Sequence, residues 1–244
     1  MCIRDRKDSQ LIGQFGVGFY SVFMVAKEVE VHSKSAADKE DEGHLWKSSG
    51  EDTYELSKKS KDDHGTTIMI YLNDENKEFI DESRVSFIIS KYSQYINFPI
   101  YLSAEGMEKK RLNDNEAIWL KSKRSVKEDE YKEFYKYLSH DFDDPLLWIH
   151  NKVEGKQEYS NLLYIPKKSP FDLWNRDTPK GLKLFIQRVF IMDDAAHFLP
   201  IYLRFVKGVI DSSDLPLNVS REILQEHPLV CLLYTSPSPR DSSP

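Results

Sequence analysis

Hydrophobic and polar residues alternate in short runs along the first half of the chain, and this pattern predicts β-strands. The clearest run covers residues 28–33, with the sequence EVEVHS. A β-rich run that opens with a glycine covers residues 65–72, and shorter strand candidates lie at residues 44–47 and 54–56. Successive short strands with tight connections predict an antiparallel sheet.

Two segments space their apolar residues as amphipathic helices do. The first follows Asp81, a candidate N-cap. Its apolar face comprises Val85, Ile88, Ile89, Tyr92 and Ile96. The second follows Ser125 and Glu128, which form an S-x-x-E capping box. Its apolar face comprises Tyr131, Phe134, Tyr135 and Leu138. Both patterns predict helices that pack one face against a core.

A polar and charged segment, residues 103–115, separates two predicted domains and is expected to be a linker. The strand before it, residues 98–102, contains Pro99, which indicates a sheet edge. The domain after it begins at residue 116.

The second domain mixes strands with irregular connections. We predict strands over residues 159–165 and 181–192. A helix is predicted to begin at Pro200 and to bury Leu203, Val206 and Ile210. Residues 211–216 are then expected to form a loop, and Asn218 or Ser220 to cap a last short helix.

Composition and charge narrow the function classes. The chain has 244 residues and a net charge of −6, which disfavours a general nucleic-acid binder. No apolar run approaches the ~20 residues that a membrane span requires, and we expect no secretory signal. The two cysteines, Cys2 and Cys231, do not support a disulfide framework, and a reducing cytoplasm fits. The histidines show no paired metal-ligand spacing, so we predict no metal site in this chain.

The segment of residues 11–21 concentrates three glycines within six positions, followed by an apolar run. Glycines allow backbone N–H groups to converge on an anion, because no Cβ blocks the approach. If residues 19–26 are helical, the helix N-terminus adds a partial positive charge. The pattern therefore suits a phosphate-binding loop. A tight strand-to-helix turn without a ligand is the alternative, and the glycines alone favour it.

The exact string GQFGVGFYS resembles the glycine-rich nucleotide motif of the ninety-kilodalton heat-shock protein family, especially its bacterial type. The resemblance extends over residues 7–230 and implies that the loop binds the phosphates of ATP through Gln14, Gly16, Val17, Gly18 and Phe19. The segment GTTI at residues 65–68 matches a family segment that lines the adenine side of the pocket, which implies a binding role for Thr66. Taken alone, this threonine reads as an ordinary strand residue.

A second motif, LNVSRE at residues 217–222, is similar to the catalytic loop of the family. The resemblance implies that Arg221 reaches the γ-phosphate of ATP and that Gln225 assists it. An arginine stabilises the charge that accumulates during phosphoryl transfer. Without the resemblance, a surface ion pair of Arg221 with Glu222 or Glu226 is the default interpretation.

The resemblance implies an α+β fold: a truncated GHKL-type (Bergerat) antiparallel sheet with helices, followed by an α/β/α middle domain. Residues 7–102 would be the C-terminal part of the ATP-binding domain and residues 116–230 the middle domain. The apolar loop at residues 170–174 is expected to contribute to client binding. Residues 1–6 and the Ser/Pro-rich residues 231–244 match neither domain and are expected to be non-native.

These observations predict a fragment of a cytoplasmic, ATP-dependent chaperone that acts on unfolded or partly folded clients. ATP would bind with magnesium in the intact protein, which would be a homodimer through a C-terminal domain, with no nucleic-acid or membrane partner. The family's general-base glutamate, magnesium-binding asparagine and adenine-binding aspartate find no match in residues 1–10, so we expect this polypeptide alone not to hydrolyse ATP. Two alternatives remain open: another GHKL-superfamily ATPase, or a client-binding module without nucleotide chemistry.

Overall fold

The computed structural model describes residues 18–37, 42–104, 106, 108–113, 116–154, 158–169, 182–193, 199 and 201–213. The chain divides into two compact units, and the division along the sequence falls between Val85 and Ser86. Both are mixed α/β structures with largely antiparallel sheets and few helices, so the α+β class predicted from the sequence is confirmed. Among the described residues, no helix combines the length and the apolar character needed to cross a bilayer.

The first unit contains a four-stranded antiparallel sheet with the strand order β3-β2-β1-β4. Its strands are β1 (Ala26–Lys34), β2 (Glu42–Ser48), β3 (Glu55–Ser60) and β4 (Gly65–Leu72). All four predicted strands are present, but β1 and β2 extend beyond their predicted bounds and β3 overlaps its prediction only at residues 55–56. Alternation placed β1 correctly because its side chains divide between the two faces of the sheet, with Val29 fully buried.

Short 3-10 helices flank this sheet. The helix considered after the glycine cluster is a 3-10 helix, Gly18–Met24, and it ends before β1 begins. A second 3-10 helix, Asp74–Ile80, was not predicted; the Asn73 side chain caps it by accepting a hydrogen bond from the Asn76 backbone N–H at 3.1 Å. Helix α1 (Glu82–Tyr92) then begins as predicted, because the Asp81 carboxylate accepts from the Ser83 backbone N–H at 3.3 Å.

The second unit is built on a five-stranded sheet with the order β10-β9-β11-β8-β7, in which only the β9–β11 pair is parallel. Its strands are β7 (Leu147–Val153), β8 (Tyr159–Ile165), β9 (Leu182–Ile186), β10 (Val189–Met192) and β11 (Lys207–Ser212). Helix α2 (Glu128–Ser139) and a 3-10 helix, Ile118–Leu120, pack on one face. The β8 prediction is confirmed residue for residue, whereas β7 was not predicted.

Each face of this sheet carries its own hydrophobic core. The helix-side core is formed around Trp119, Tyr135 and Leu162, which are fully buried. The opposite core consists of Leu182, Leu184, Ile186, Met192, Val206 and Ile210. The predicted apolar face of α2 is confirmed, since Tyr131, Tyr135 and Leu138 are buried and Phe134 packs against the same core.

The predicted capping box at Ser125 and Glu128 is wrong. Helix α2 begins two residues later than that box requires, and Glu130 accepts a hydrogen bond from the Lys127 backbone N–H at 2.8 Å. The Ser125 hydroxyl instead donates to the Ser122 carbonyl within the preceding turn. Glu128 forms an ion pair with Lys132 at 2.8 Å, one turn further along the helix.

The single long strand predicted over residues 181–192 is in fact a hairpin. Strands β9 and β10 are joined by Gln187 and Arg188, which adopt positive φ values of 50° and 67°. Gln187 and Arg188 are ordinary surface residues with no special preference for positive φ. The sequence also lacks the Asn-Gly signal that usually marks such a turn. The turn is stabilised by tertiary bonds: the Arg188 backbone N–H donates to Asp211 at 3.2 Å, and the Gln187 backbone N–H donates to the Ser212 carbonyl at 3.1 Å.

The predicted helix after Pro200 and the start of the predicted loop at residues 211–216 are also corrected, whereas residues 214–216 lie outside the described residues. Only Ile201–Leu203 is helical, as one 3-10 turn, and β11 follows from Lys207. Val206 and Ile210 are buried as predicted, but Ile210 lies on the strand. Asp211 and Ser212 end this buried strand and are not in a loop.

The predicted strand at residues 98–102 is reduced to Tyr101–Leu102 (β5). It pairs with Lys110–Arg111 (β6), inside the segment predicted to be a linker. The Asn113 side chain stabilises this segment by accepting from the Ile100 backbone N–H at 2.7 Å and donating to the Phe98 carbonyl at 2.8 Å. The domain boundaries predicted from the sequence stay a prediction.

Candidate functional site

The described part of the predicted phosphate loop begins at Gly18. Gln14, Gly16 and Val17 lie outside the described residues, whereas Gly18 and Phe19 form the start of the first 3-10 helix. The Ser21 hydroxyl donates to the Gly18 carbonyl at 2.6 Å and tightens this turn. Among the residues that the structure describes, a Cβ added to Gly18 would meet no atom within 4 Å.

The aromatic ring of Phe19 packs onto the sheet and leaves the backbone at the surface. Its centroid lies 5.7 Å from Trp46 of β2 and 6.2 Å from Phe23, both in edge-to-face arrangements. Phe23 in turn covers Gly50, which has φ of +88° and where a Cβ would come within 2.8 Å of the Phe23 ring. Gly50 therefore allows the 3-10 helix to lie close to the sheet.

The Phe23 ring also contacts Trp46, with the two ring centroids 6.4 Å apart. Trp46 pairs with Val31 of β1, so both aromatic rings of this helix pack over the β1–β2 part of the sheet.

Thr66 lies at the end of the sheet at which β1 finishes. It pairs with Ser33 of β1, and the two hydroxyl oxygens are 2.9 Å apart. Directly paired residues of antiparallel strands share a face, and residues two apart on one strand share it too. Val31 pairs with both Trp46 and Ile68, so Thr66 lies on the face on which Phe19 packs.

The face between these residues is apolar and open. Ile68 is 47% exposed and Ile70 is 45% exposed, and both share the face of Thr66 by strand alternation. The structure thus brings Gly18, Phe19 and Thr66 to one face of one sheet. Because a planar ligand ring packs well on exposed aliphatic side chains, this arrangement suits an apolar ring with a polar group near the Thr66 hydroxyl.

The other predicted site residues lie outside the described part of the chain. These are the two proposed catalytic residues, Arg221 and Gln225, and the loop at residues 170–174. Their roles stay predictions.

A series of buried, hydrogen-bonded polar groups in the second unit was not predicted from the sequence. The Trp119 indole N–H donates to the Asp211 carboxylate at 2.9 Å, across 92 positions of sequence. The second carboxylate oxygen of Asp211 accepts from the Arg188 backbone N–H at 3.2 Å. Burial raises the pKa of Asp211, and these hydrogen bonds oppose that rise. No local pattern marks these residues, since each lies on a different element.

His150 continues this series on β7. Its Nε2 is 3.0 Å from the Trp119 carbonyl, and its Nδ1 is 2.7 Å from the Tyr131 hydroxyl. A carbonyl can only accept, so Nε2 carries the proton and Nδ1 accepts from Tyr131. Burial lowers the pKa of His150 and favours this neutral form. The Tyr131 carbonyl accepts from the Tyr164 hydroxyl at 2.9 Å. Every side chain in this hydrogen-bonded series is paired inside the core. The series therefore stabilises the fold and offers no open reactive group.

Within the described residues, no group of three or more His, Cys, Asp or Glu side chains could hold a metal ion.

Comparison with known proteins gives a consistent answer. The family model for "Hsp90 protein" matches residues 104–234. The "Chaperone protein HtpG" of Shewanella amazonensis is 56% identical over 237 residues, which cover 91% of this chain and 37% of that protein. The protein of the same name from Citrobacter koseri is 56% identical over 229 residues, which cover 90% of this chain and 36% of that protein. The chain therefore spans a little over a third of the length of the curated relatives that it matches.

Proposed function

The chain belongs to the Hsp90 protein family, and from this membership we propose that it is part of an ATP-dependent chaperone that binds and remodels unfolded or partly folded proteins. The observation that carries the proposal is the family match over residues 104–234, together with 56% identity to a named chaperone. The activity and partners of the whole protein are part of this proposal, because the chain covers 37% of that relative.

ATP is the proposed ligand of the first unit. The supporting geometry is the single sheet face that carries Gly18, Phe19, Thr66 and the exposed Ile68 and Ile70. In this proposal the backbone of the predicted loop, Gln14 to Phe19, holds the phosphates, and Thr66 orients the adenine end. The sheet and its flanking helices would then be the GHKL-type nucleotide fold. Magnesium would arrive with the nucleotide and neutralise phosphate charge.

Arg221 and Gln225 are the proposed catalytic residues of the second unit. Arginine suits this role because its planar fork of donors matches phosphate oxygens and its charge persists at all physiological pH values. In the intact chaperone, closure of the nucleotide domain would bring Arg221 to the γ-phosphate and so couple hydrolysis to client remodelling.

Client binding is proposed for apolar side chains that the second unit exposes. Phe142 is 96% exposed in the turn after α2, and Leu146 is 62% exposed just before β7. Leu147 and Ile149 follow on the edge strand β7 and are also exposed. Exposed apolar residues that cluster along one stretch are typical of surfaces that bind other proteins. An unfolded client offers the complementary apolar segments.

Light scattering by a chemically denatured model client, diluted into buffer with this chain, tests the client-binding proposal. We expect the chain to suppress aggregation without nucleotide, and the double variant Phe142→Ser/Leu146→Ser to suppress it less. Ile80→Ser is the matched control, because Ile80 is 73% exposed but lies in the first unit. Equal suppression by both variants would refute the proposed surface, and no suppression by the unmodified chain would refute client binding by this chain.

The remaining partners follow from the same proposal. The intact protein would be a cytoplasmic homodimer, joined through a C-terminal domain, with neither a nucleic-acid nor a membrane partner. A DNA-directed ATPase of the same superfamily is disfavoured by the net charge of −6, because such proteins need a basic groove. A client-binding module without nucleotide chemistry remains the second candidate for this chain, and the exposed residues around Phe142 favour it.

A further inference from the structure

A cavity of about 70 Å³ lies in the second unit, between the five-stranded sheet and the helical side of its core. Five of its twelve lining residues are aromatic, including Phe134, Phe190 and Tyr137. Its rim includes Tyr137, Lys91 and Asp193, which are exposed, so the cavity is reached from solvent. None of these residues belongs to the proposed nucleotide or client-binding sites.

Lys183 is the notable residue of this cavity. It lies on β9 between Leu182 and Leu184, whose side chains belong to the opposite core, so the lysine projects to the cavity side. Its side chain is half-buried and has no hydrogen-bond or ion-pair partner among the described residues. The lysines at 47, 121, 132 and 152 differ, because each forms an ion pair with a carboxylate.

The charged and titratable groups that face Lys183 come from every element around the cavity. Lys91 of α1 repels its charged form, Asp193 after β10 attracts it, and the phenols of Tyr95 and Tyr137 line the wall. Burial outweighs the attraction and lowers the pKa of Lys183. A partly buried lysine with a lowered pKa holds more of the free amine, which is the nucleophilic form.

We propose that Lys183 is a nucleophilic amine, and that this cavity is the site at which small acyl donors of the acyl-phosphate class acylate it. The Nζ lone pair attacks the carbonyl carbon, and a C–N bond forms. The C–O bond to phosphate breaks, phosphate leaves with the electron pair, and the proton of the amine passes to water. The product is a neutral amide, which removes the desolvated charge from the cavity.

The size of the cavity sets the specificity of this reaction. A volume of about 70 Å³ accommodates a short acyl group such as acetyl. It is well below the ~150 Å³ of a cavity that holds a benzene ring. Acetyl phosphate should therefore react at Lys183, whereas benzoyl phosphate should be excluded from it and should still react with exposed lysines.

Site-resolved labelling tests the proposal. The intact chain is treated with acetyl phosphate at a series of pH values, and the rate at each lysine is read by peptide mass spectrometry. Lys152 is the internal reference, because its ion pair with Glu154 raises its pKa. We expect Lys183 to react several-fold faster than Lys152 at neutral pH, and the midpoint of its pH–rate profile to lie at a lower pH. A rate at Lys183 at or below that of Lys152, with a profile midpoint no lower, overturns the proposal.

Two variants at the rim of the cavity should change the acetylation rate of Lys183 in opposite directions. Asp193→Asn removes the attraction and should accelerate acetylation of Lys183, whereas Lys91→Gln removes the repulsion and should slow it. Both positions are exposed, so neither change disturbs the core. Each unit of pKa change alters the free-amine fraction about tenfold near neutral pH. Rates at Lys183 that stay constant in both variants, or benzoylation of Lys183 as fast as acetylation, would overturn the proposal.

Discussion

At the scale of single residues, the strongest constraint in the second unit is the series of buried, hydrogen-bonded polar groups from Asp211 to His150. Its members sit in a region from which water is excluded, so each donor needs its partner. Trp119 links the two ends, because its indole N–H bonds Asp211 and its carbonyl bonds His150. The loss of one member should therefore cost more than the loss of a surface ion pair.

Asp211→Ala should destabilise the second unit, because it leaves the Trp119 indole N–H and the Arg188 backbone N–H without acceptors. Each unsatisfied buried donor costs about 1–3 kcal/mol. Urea unfolding followed by Trp fluorescence measures the change. Asp143→Ala, which removes a surface ion pair with Lys168, is the matched control and should change the midpoint little. Equal losses in the two variants would contradict the assigned role of Asp211.

His150 should make stability depend on pH. Its pKa is lowered in the folded state from the ordinary value of 6.5, so the unfolded state binds more protons in that range. The contribution of neutral His150 to the free energy of unfolding is complete above pH 6.5. It is lost progressively as the pH falls towards the folded-state pKa of His150. We expect a lower unfolding midpoint at acidic pH, and a smaller pH dependence in His150→Gln. His44→Gln, at an exposed position, is the control and should keep the full dependence. An unchanged pH dependence in His150→Gln would contradict this account.

At the scale of elements, the β9–β10 hairpin shows how tertiary contacts override local preference. Gln187 and Arg188 hold positive φ values that cost L-residues about 1–2 kcal/mol each. Two backbone hydrogen bonds to the end of β11 maintain this conformation. The turn is thus specified by a strand that follows it by some twenty positions and not by its own residues.

Replacing Gln187-Arg188 by Asn-Gly should stabilise this hairpin. Both new residues tolerate positive φ, and the two backbone N–H groups that bond Ser212 and Asp211 are kept. The side-chain hydrogen bonds of Gln187 to the Ser213 carbonyl and of Arg188 to Asn97 are lost, and both lie at exposed positions, so we expect a net gain of about 1 kcal/mol. Thermal unfolding measures it. Lys152→Gly, a glycine placed within strand β7, should instead lower the midpoint. A lower midpoint for the Asn-Gly variant would contradict the strain assigned to the turn.

At the scale of the whole molecule, the sequence predicted elements whose pattern is local and failed where distant contacts decide. Strand β1 alternates clearly, β4 and β8 are rich in strand-forming residues, and all three were found, as was the Asp81 cap. Val206 and Ile210 are spaced as on a helix, so their pattern did not predict strand β11. This strand lies inside the sheet, and Gly208 allows the β8 backbone to approach it. A Cβ at Gly208 would lie 2.4 Å from the Leu162 carbonyl oxygen. In the candidate nucleotide site, the glycine motif and Thr66 could be recognised from the family resemblance. That they share one face of the sheet could be learned only from the strand register.

We propose that this chain is part of an ATP-driven chaperone in which Arg221 acts on the γ-phosphate of ATP. The direct test is steady-state ATP turnover by a full-length chimera, in which residues 7–230 replace the matching segment of the Shewanella amazonensis relative. We predict that the chimera hydrolyses ATP and that Arg221→Ala lowers kcat by about 10³-fold or more with nucleotide affinity largely kept. Arg124→Ala, at an exposed position of the same unit, should leave kcat unchanged. A chimera that binds ATP and turns it over equally well with and without Arg221 would contradict the claim.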